Sequence, residues 1–152
     1  MRAMPTSIPA RLRRGEDVDL VIMVGTALDE QIKAGLILPN SRVDLARSGI
    51  AMAVKYGSSK PDITTVEAFK RTLLAAKSIA YSDSASGVYP STELFPRLGI
   101  AGQMKGKTTM IATPTMAAER LAAGDYEIGF QQLGELKPVP GIEIVGPIPA
   151  DV

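Results

Sequence analysis

Two stretches of the sequence put hydroxyl-bearing or glycine-bearing turns where a strand gives way to a helix: Ser82-Asp83-Ser84-Ala85-Ser86-Gly87 and Ala112-Thr113-Pro114-Thr115. A helix opening on such a turn presents unpaired backbone N–H groups and the positive end of its dipole, and seryl and threonyl hydroxyls add neutral donors. That combination holds an anion without lysine or metal. Ser84, Ala85, Ser86, Gly87, Thr113 and Thr115 are therefore candidate ligand contacts, beside the plainer reading that the hydroxyls only cap their own helices. Gln131 and Gln132 close another strand-like run and offer amides either to the same ligand or to a neighbouring loop. Tyr89 can turn its hydroxyl to a cleft or its ring to the core.

Proton chemistry has fewer candidates. Among 152 residues there is neither cysteine nor histidine, which removes thiol nucleophiles, imidazole bases, disulfides and the usual zinc sites. Asp83 and Glu135 are the carboxylates placed to act as a base; a capping or turn role is the alternative for Asp83. Neither a P-loop nor a dinucleotide GxGxxG is present, so no cofactor and no metal are expected. Lysine and arginine number 17 against 16 acidic residues, a balance that gives no field to attract nucleic acid or an anionic membrane. Arg11, Arg13 and Arg14 form the one basic concentration and read as a solvated helix face. The N-terminus lacks the apolar core of a signal peptide and no run of eighteen apolar residues occurs, so membrane insertion is not expected. The expectation is a cytoplasmic chain as written, or a fragment of an exported precursor.

The elements that would position these turns alternate between strand and helix, the order of an α/β fold with mainly parallel strands. Thr6 or Ser7 caps a short helix with Pro9 in its first turn. Val18-Asp19-Leu20-Val21-Ile22-Met23-Val24 reads as a strand covered on both faces, and Thr26 as the cap of the helix after it. A second strand over 47–54 runs into the polar loop 57–61, a candidate lobe boundary. Thr64 and Glu67 form a capping box ahead of a helix with Val66, Phe69, Leu73 and Leu74 on its apolar side. Strands are expected at 78–81, 108–112, 126–131 and 142–145. Between them lie a helix kinked at Pro96 and stopped by Gly99, and another from Thr113-Pro114 to Gly124.

These motifs, in this order, resemble the bacterial extracellular solute-binding proteins of the molybdate-binding type, with the type 2 periplasmic-binding-protein fold. Asp19-Leu20-Val21-Ile22 and the run 41–50 (Ser-Arg-Val-Asp-Leu-Ala-Arg-Ser-Gly-Ile) match its first lobe and the crossing out of it. Lys77-Ser78-Ile79-Ala80-Tyr81-Ser82-Asp83, Ala85-Ser86-Gly87-Val88-Tyr89 and Gly129-Phe130-Gln131-Gln132 match its second lobe, and the run 139–149 the return. The resemblance implies two α/β lobes, 1–50 with 140–152 and 51–139, closing on a small anionic ligand and passing it to the permease of an ABC importer. It also implies Ser7 as a first-lobe contact, joined by Ser84 to Gly87, the turn at Thr113 to Thr115, and Gln131 with Gln132. Glutamine stands where molybdate binders carry tyrosine, which argues against molybdate itself. Relative to the family the chain is expected to lack a first strand and helix and the closing helices, leaving apolar edges for a second copy to cover and making a homo-oligomer. The rival expectations are a cofactor-free isomerase or lyase reusing the cleft, with Asp83 or Glu135 as base, and a dimeric remnant that binds nothing.

Overall fold

The computed structural model describes residues 6–84 and 87–152. The chain divides into two compact units, residues 1–47 and 48–152.

In the second unit five strands form one sheet in the order β3-β2-β4-β1-β5: β1 (Ile50–Lys55), β2 (Ile79–Ser82), β3 (Thr108–Ile111), β4 (Ile128–Gln132) and β5 (Ile142–Pro147). β2 lies parallel to both β3 and β4, while β1 runs antiparallel to β4 and to β5. β1 is thus the one reversed strand, and the α/β fold with mainly parallel strands is observed. The segment allotted by the resemblance to the first lobe, 140–152, contributes β5 to this sheet, and the polar loop 57–61 lies within the unit, between β1 and the next helix.

The two faces of the sheet differ because successive side chains of a strand point opposite ways. Met52, Ile79, Tyr81, Ile128 and Phe130 share the larger core with Phe69 and Leu73 of α3 (Val66–Ala75) and with Leu94, Phe95, Leu98, Ile100 and Met104. Phe69 meets Phe130 edge to face at 6.1 Å, a favourable aromatic arrangement. The other face carries small residues, Ala51, Ala53, Ala80 and Gly129, on which Ala117 and Leu121 of α6 (Pro114–Ala123) settle. A Cβ on Gly129 would come within 2.7 Å of a Leu121 methyl, so glycine is what lets the helix lie this close.

Helix starts follow hydrogen bonding more closely than the sequence pattern foretells. α3 is capped by Thr65, whose hydroxyl accepts from the Ala68 N–H at 3.1 Å, not by Thr64. Thr64 instead gives its hydroxyl and its N–H to Asp62, which holds the Asp62 carboxyl below its usual range. A wide turn over Pro90–Leu94 runs into α4 (Phe95–Arg97), which ends at Gly99 in the left-handed region. Two short helices that the sequence reading did not foresee, α5 (Ala101–Met104) and α7 (Leu133–Leu136), complete the unit.

The first unit holds α1 (Ile8–Arg13) and α2 (Gly25–Lys33). Val24 occupies the N-cap position of α2, and Thr26, expected as its cap, lies inside the helix. The expected strand at 18–24 is not formed: these residues pair with no strand, and Leu20 is 79% and Ile22 66% exposed. A nearly continuous apolar run prepares a segment for a sheet covered on both faces, but a ladder also needs a neighbour, and no strand stands in the first unit among the described residues. Leu38, Val43 and Leu45, after α2, are exposed as well, and Arg42 ties Asp29 of α2 to Asp44 at 2.7 and 2.8 Å.

Candidate functional site

Three of the expected contact regions leave the sheet at one edge. Ser82 at the end of β2 is level with Ile111 at the end of β3, and Tyr81 is level with Phe130, one residue before Gln131 on β4. The turns after β2 and β3 and the exit of β4 therefore open side by side. The carboxyl edge of parallel strands is where ligands of open α/β sheets bind.

The turn after β2 is built from its own hydroxyls. Ser82, almost wholly buried, exchanges a 2.9 Å hydrogen bond with the Ser84 hydroxyl, which also accepts from the Gly87 N–H at 3.0 Å. The Asp83 N–H reaches across to the Ile111 carbonyl at 2.7 Å, and the Val88 N–H closes on the Ser84 carbonyl. Gly87 approaches the backbone so closely that a Cβ would overlap the Ser82 carbonyl oxygen. Ser84 thus shapes the turn as well as facing the edge. Ala85 and Ser86, both expected contacts, lie outside the described residues. Asp83 is exposed, and Tyr89 packs half-buried against the larger core.

After β3, Thr113 is the N-cap of α6 and its hydroxyl accepts from the Met116 N–H at 3.2 Å. Pro114 has no N–H and the Ala117 N–H is bonded to the Thr113 carbonyl. That leaves the Thr115 N–H as the open donor of the first turn, beside an exposed Thr115 side chain and at the positive end of a ten-residue helix.

Gln131, next to last in β4, lies on the face that α6 covers. It is 3% exposed, and its Nε2 donates to the carbonyl of Pro114, the first residue of α6. Its Oε1 is buried without a partner among the described residues. Among the described residues only Ser7 Oγ and Glu135 Oε2 share that condition. Ser7 stands at the N-cap of α1 without capping it. Gln132 is partly buried, paired in register with Ile50 of β1.

The structure therefore gathers Ser84, Gly87, Thr113, Thr115, Gln131 and Gln132 on one edge of the second unit, while Ser7 belongs to the first. Ser82, which the sequence places in the turn but not among the contacts, anchors that turn through its burial and its bond to Ser84. A serine closing an otherwise apolar strand was the available signal. The sequence reading left α7 unseen, and with it the reason that Glu135 lies at this edge: the helix starts directly where β4 ends.

An α/β sheet whose carboxyl edge carries hydroxyl turns, a helix N-terminus and a buried amide is the kind of lobe in which open α/β folds bind small ligands. The chain belongs to the bacterial extracellular solute-binding protein family, whose family model matches residues 3–152. It is 53% identical over 145 residues to an aconitate isomerase from Pseudomonas sp; the match takes in 95% of this chain and 55% of that protein, so the chain spans about half the relative's length. Among solved structures it is similar to the substrate binding domain assigned to a molybdenum ABC transporter of Clostridium difficile, with a TM-score of 0.73 at 18% identity, over 93% of this chain and 61% of that one. The periplasmic molybdate-binding protein of Azotobacter vinelandii gives 0.56 at 18% identity, over 72% and 48%. The BenM effector binding domain, solved with its effector benzoate, also gives 0.56 at 18%, over 93% and 68%. At these identities the structural likenesses establish the fold. No helix of the described residues is long and apolar enough to cross a membrane.

Proposed function

We propose that the second unit binds a small carboxylate-bearing solute at the carboxyl edge of β2, β3 and β4. The carrying observation is the registered convergence there of the Ser82–Gly87 turn, the capped start of α6 and Gln131. Backbone and hydroxyl donors at a helix start suit a carboxylate, and no group of ligating side chains that could hold a metal occurs among the described residues. Ser84, Ala85, Ser86, Gly87, Thr113, Thr115, Gln131 and Gln132 are the proposed contacts. Ser7, whose buried hydroxyl lacks a partner, is the proposed contact of the first unit. As a member of a solute-binding family, the protein would deliver its ligand to the permease of an ABC importer.

A second reading, isomerisation of aconitate, is favoured by the 53% identity to an enzyme of that name. The chemistry is a proton shift. A carboxylate base takes a proton from the methylene carbon beside the alkene, the electron pair delocalises onto the adjacent carboxylate, and the same proton returns to the far carbon as the double bond moves. Glu135, with one buried oxygen and no ion-pair partner, suits the base better than exposed Asp83.

One screen tests both. A ligand at about 100 times its dissociation constant adds about 2.7 kcal/mol of stability, which raises the melting temperature of a domain this size by roughly 5–10 °C. Aconitate and other tricarboxylates are expected to do so, and molybdate not. A shift with molybdate alone would overturn the carboxylate reading. Interconversion of aconitate isomers, followed by proton NMR and lost in Glu135→Gln, would establish the enzyme reading, and binding without interconversion would remove it.

A further inference from the structure

The orphaned oxygen of Gln131 bears on which carboxylates the edge accepts, an inference that rests on the ligand site just proposed. The orientation of the amide is fixed by its surroundings: Nε2 donates to the Pro114 carbonyl, and exchanging N for O would press two acceptors together. Oε1, on the same terminal carbon, therefore sits at the first turn of α6. It is an acceptor, on a residue 97% buried, with nothing among the described residues donating to it. Buried polar groups are nearly always paired, and an unpaired one in a native fold marks a place where something else supplies the bond. Glu135 Oε2, on the short helix that follows β4, is a second buried oxygen at this edge in the same state, and it too can only accept when ionised.

We propose that Gln131 Oε1 is a specificity determinant that accepts a hydrogen bond from the ligand, so that among acids with like carboxylates the site favours those that also carry a hydroxyl, and donor-free acids, aconitate included, bind more weakly. The α6 start and the turn after β2 hold the carboxylates, and Gln131 reads the donor beside them. A ligand without a donor sets its own oxygen against Oε1 or leaves it unpaired. Sites built to bond a hydroxyl reject the analogue that lacks it far more strongly than apolar pockets reject an extra group.

Citrate and tricarballylate form the probe pair, since they share three carboxylates and a carbon skeleton and differ by one hydroxyl; molybdate is the donor-free oxyanion. By calorimetry on the 152-residue chain at pH 7.5, citrate is expected to bind at least about tenfold more tightly than tricarballylate, and both more tightly than molybdate. Gln131→Met removes the acceptor, so the two tricarboxylates should converge in affinity, with circular dichroism reporting that the variant is folded. Should that variant not fold, the ratio for the unaltered chain decides. Equal affinities for citrate and tricarballylate would overturn the role of Gln131 while leaving the carboxylate site standing. Failure of both to bind would overturn the site and this inference with it.

Discussion

A side chain at Gly87 has no room, because its first carbon would overlap the carbonyl oxygen of Ser82, a backbone atom held by the end of β2. Relief requires either the strand end or the turn to move, and overpacking of this kind costs about 3 kcal/mol at its upper range. Gly87→Ala is expected to lower stability by about that amount and to abolish binding at the edge, read from urea unfolding and calorimetry. Gly134 provides the contrast, since a Cβ there meets nothing within 4 Å. Gly134→Ala should change stability by less than about 1 kcal/mol, in the stabilising direction expected of alanine in a helix. Equal effects at the two positions would show that close approach to Ser82 does not constrain the turn.

Among the elements, α3 and α6 begin alike, each ten residues long and each capped by a threonine hydroxyl, at 3.1 and 3.2 Å. They differ in the strand that precedes them. α3 follows the reversed strand β1, whereas α6 follows β3 at the edge shared with β2 and β4. Loss of such a cap costs about 1 kcal/mol, so Thr65→Ala and Thr113→Ala should lower the melting temperature similarly. Only Thr113→Ala should also weaken tricarboxylate binding, by several-fold in calorimetry. Equal binding by both variants would separate the ligand from the α6 start.

On the scale of the whole molecule, the two units are unequally provided for. The second buries its large apolar side chains around one sheet, while in the first Leu20, Ile22, Leu38, Val43 and Leu45 stay exposed along segments that pair with no strand among the described residues. Unpaired extended backbone with apolar side chains is a template for another chain, and identical edges on two copies can satisfy each other about a two-fold axis. We propose that the protein is a homo-oligomer through this surface. Light scattering at micromolar concentration should give the mass of a dimer, and Ile22→Arg with Leu45→Arg should reduce it to that of a monomer. A monodisperse monomer of the unaltered chain would refute the proposal.

Short-range features were legible in the sequence by itself. The alternation of strands and helices, the Thr113-Pro114 start and Gly124 stop of α6, the apolar side of α3 and the hydroxyl turn after β2 each depend on residues within a few positions of one another. The resemblance to extracellular solute-binding proteins drew on the order of those same local pieces, and the family is as expected. Tertiary structure decided what depends on distant partners. Val18 to Val24 has the composition of a buried strand, yet no strand of its own unit comes alongside to pair with it. Thr64 has the spacing of a cap, but Asp62 claims it and Thr65 caps instead. Gln131 reads from sequence as an amide for either a ligand or a neighbouring loop; only the packing of α6 over β4 buries it, turns its nitrogen to Pro114 and leaves its oxygen without a donor among the described residues. Hydrogen-bond satisfaction is settled by whatever the whole fold brings near, which no window of sequence contains.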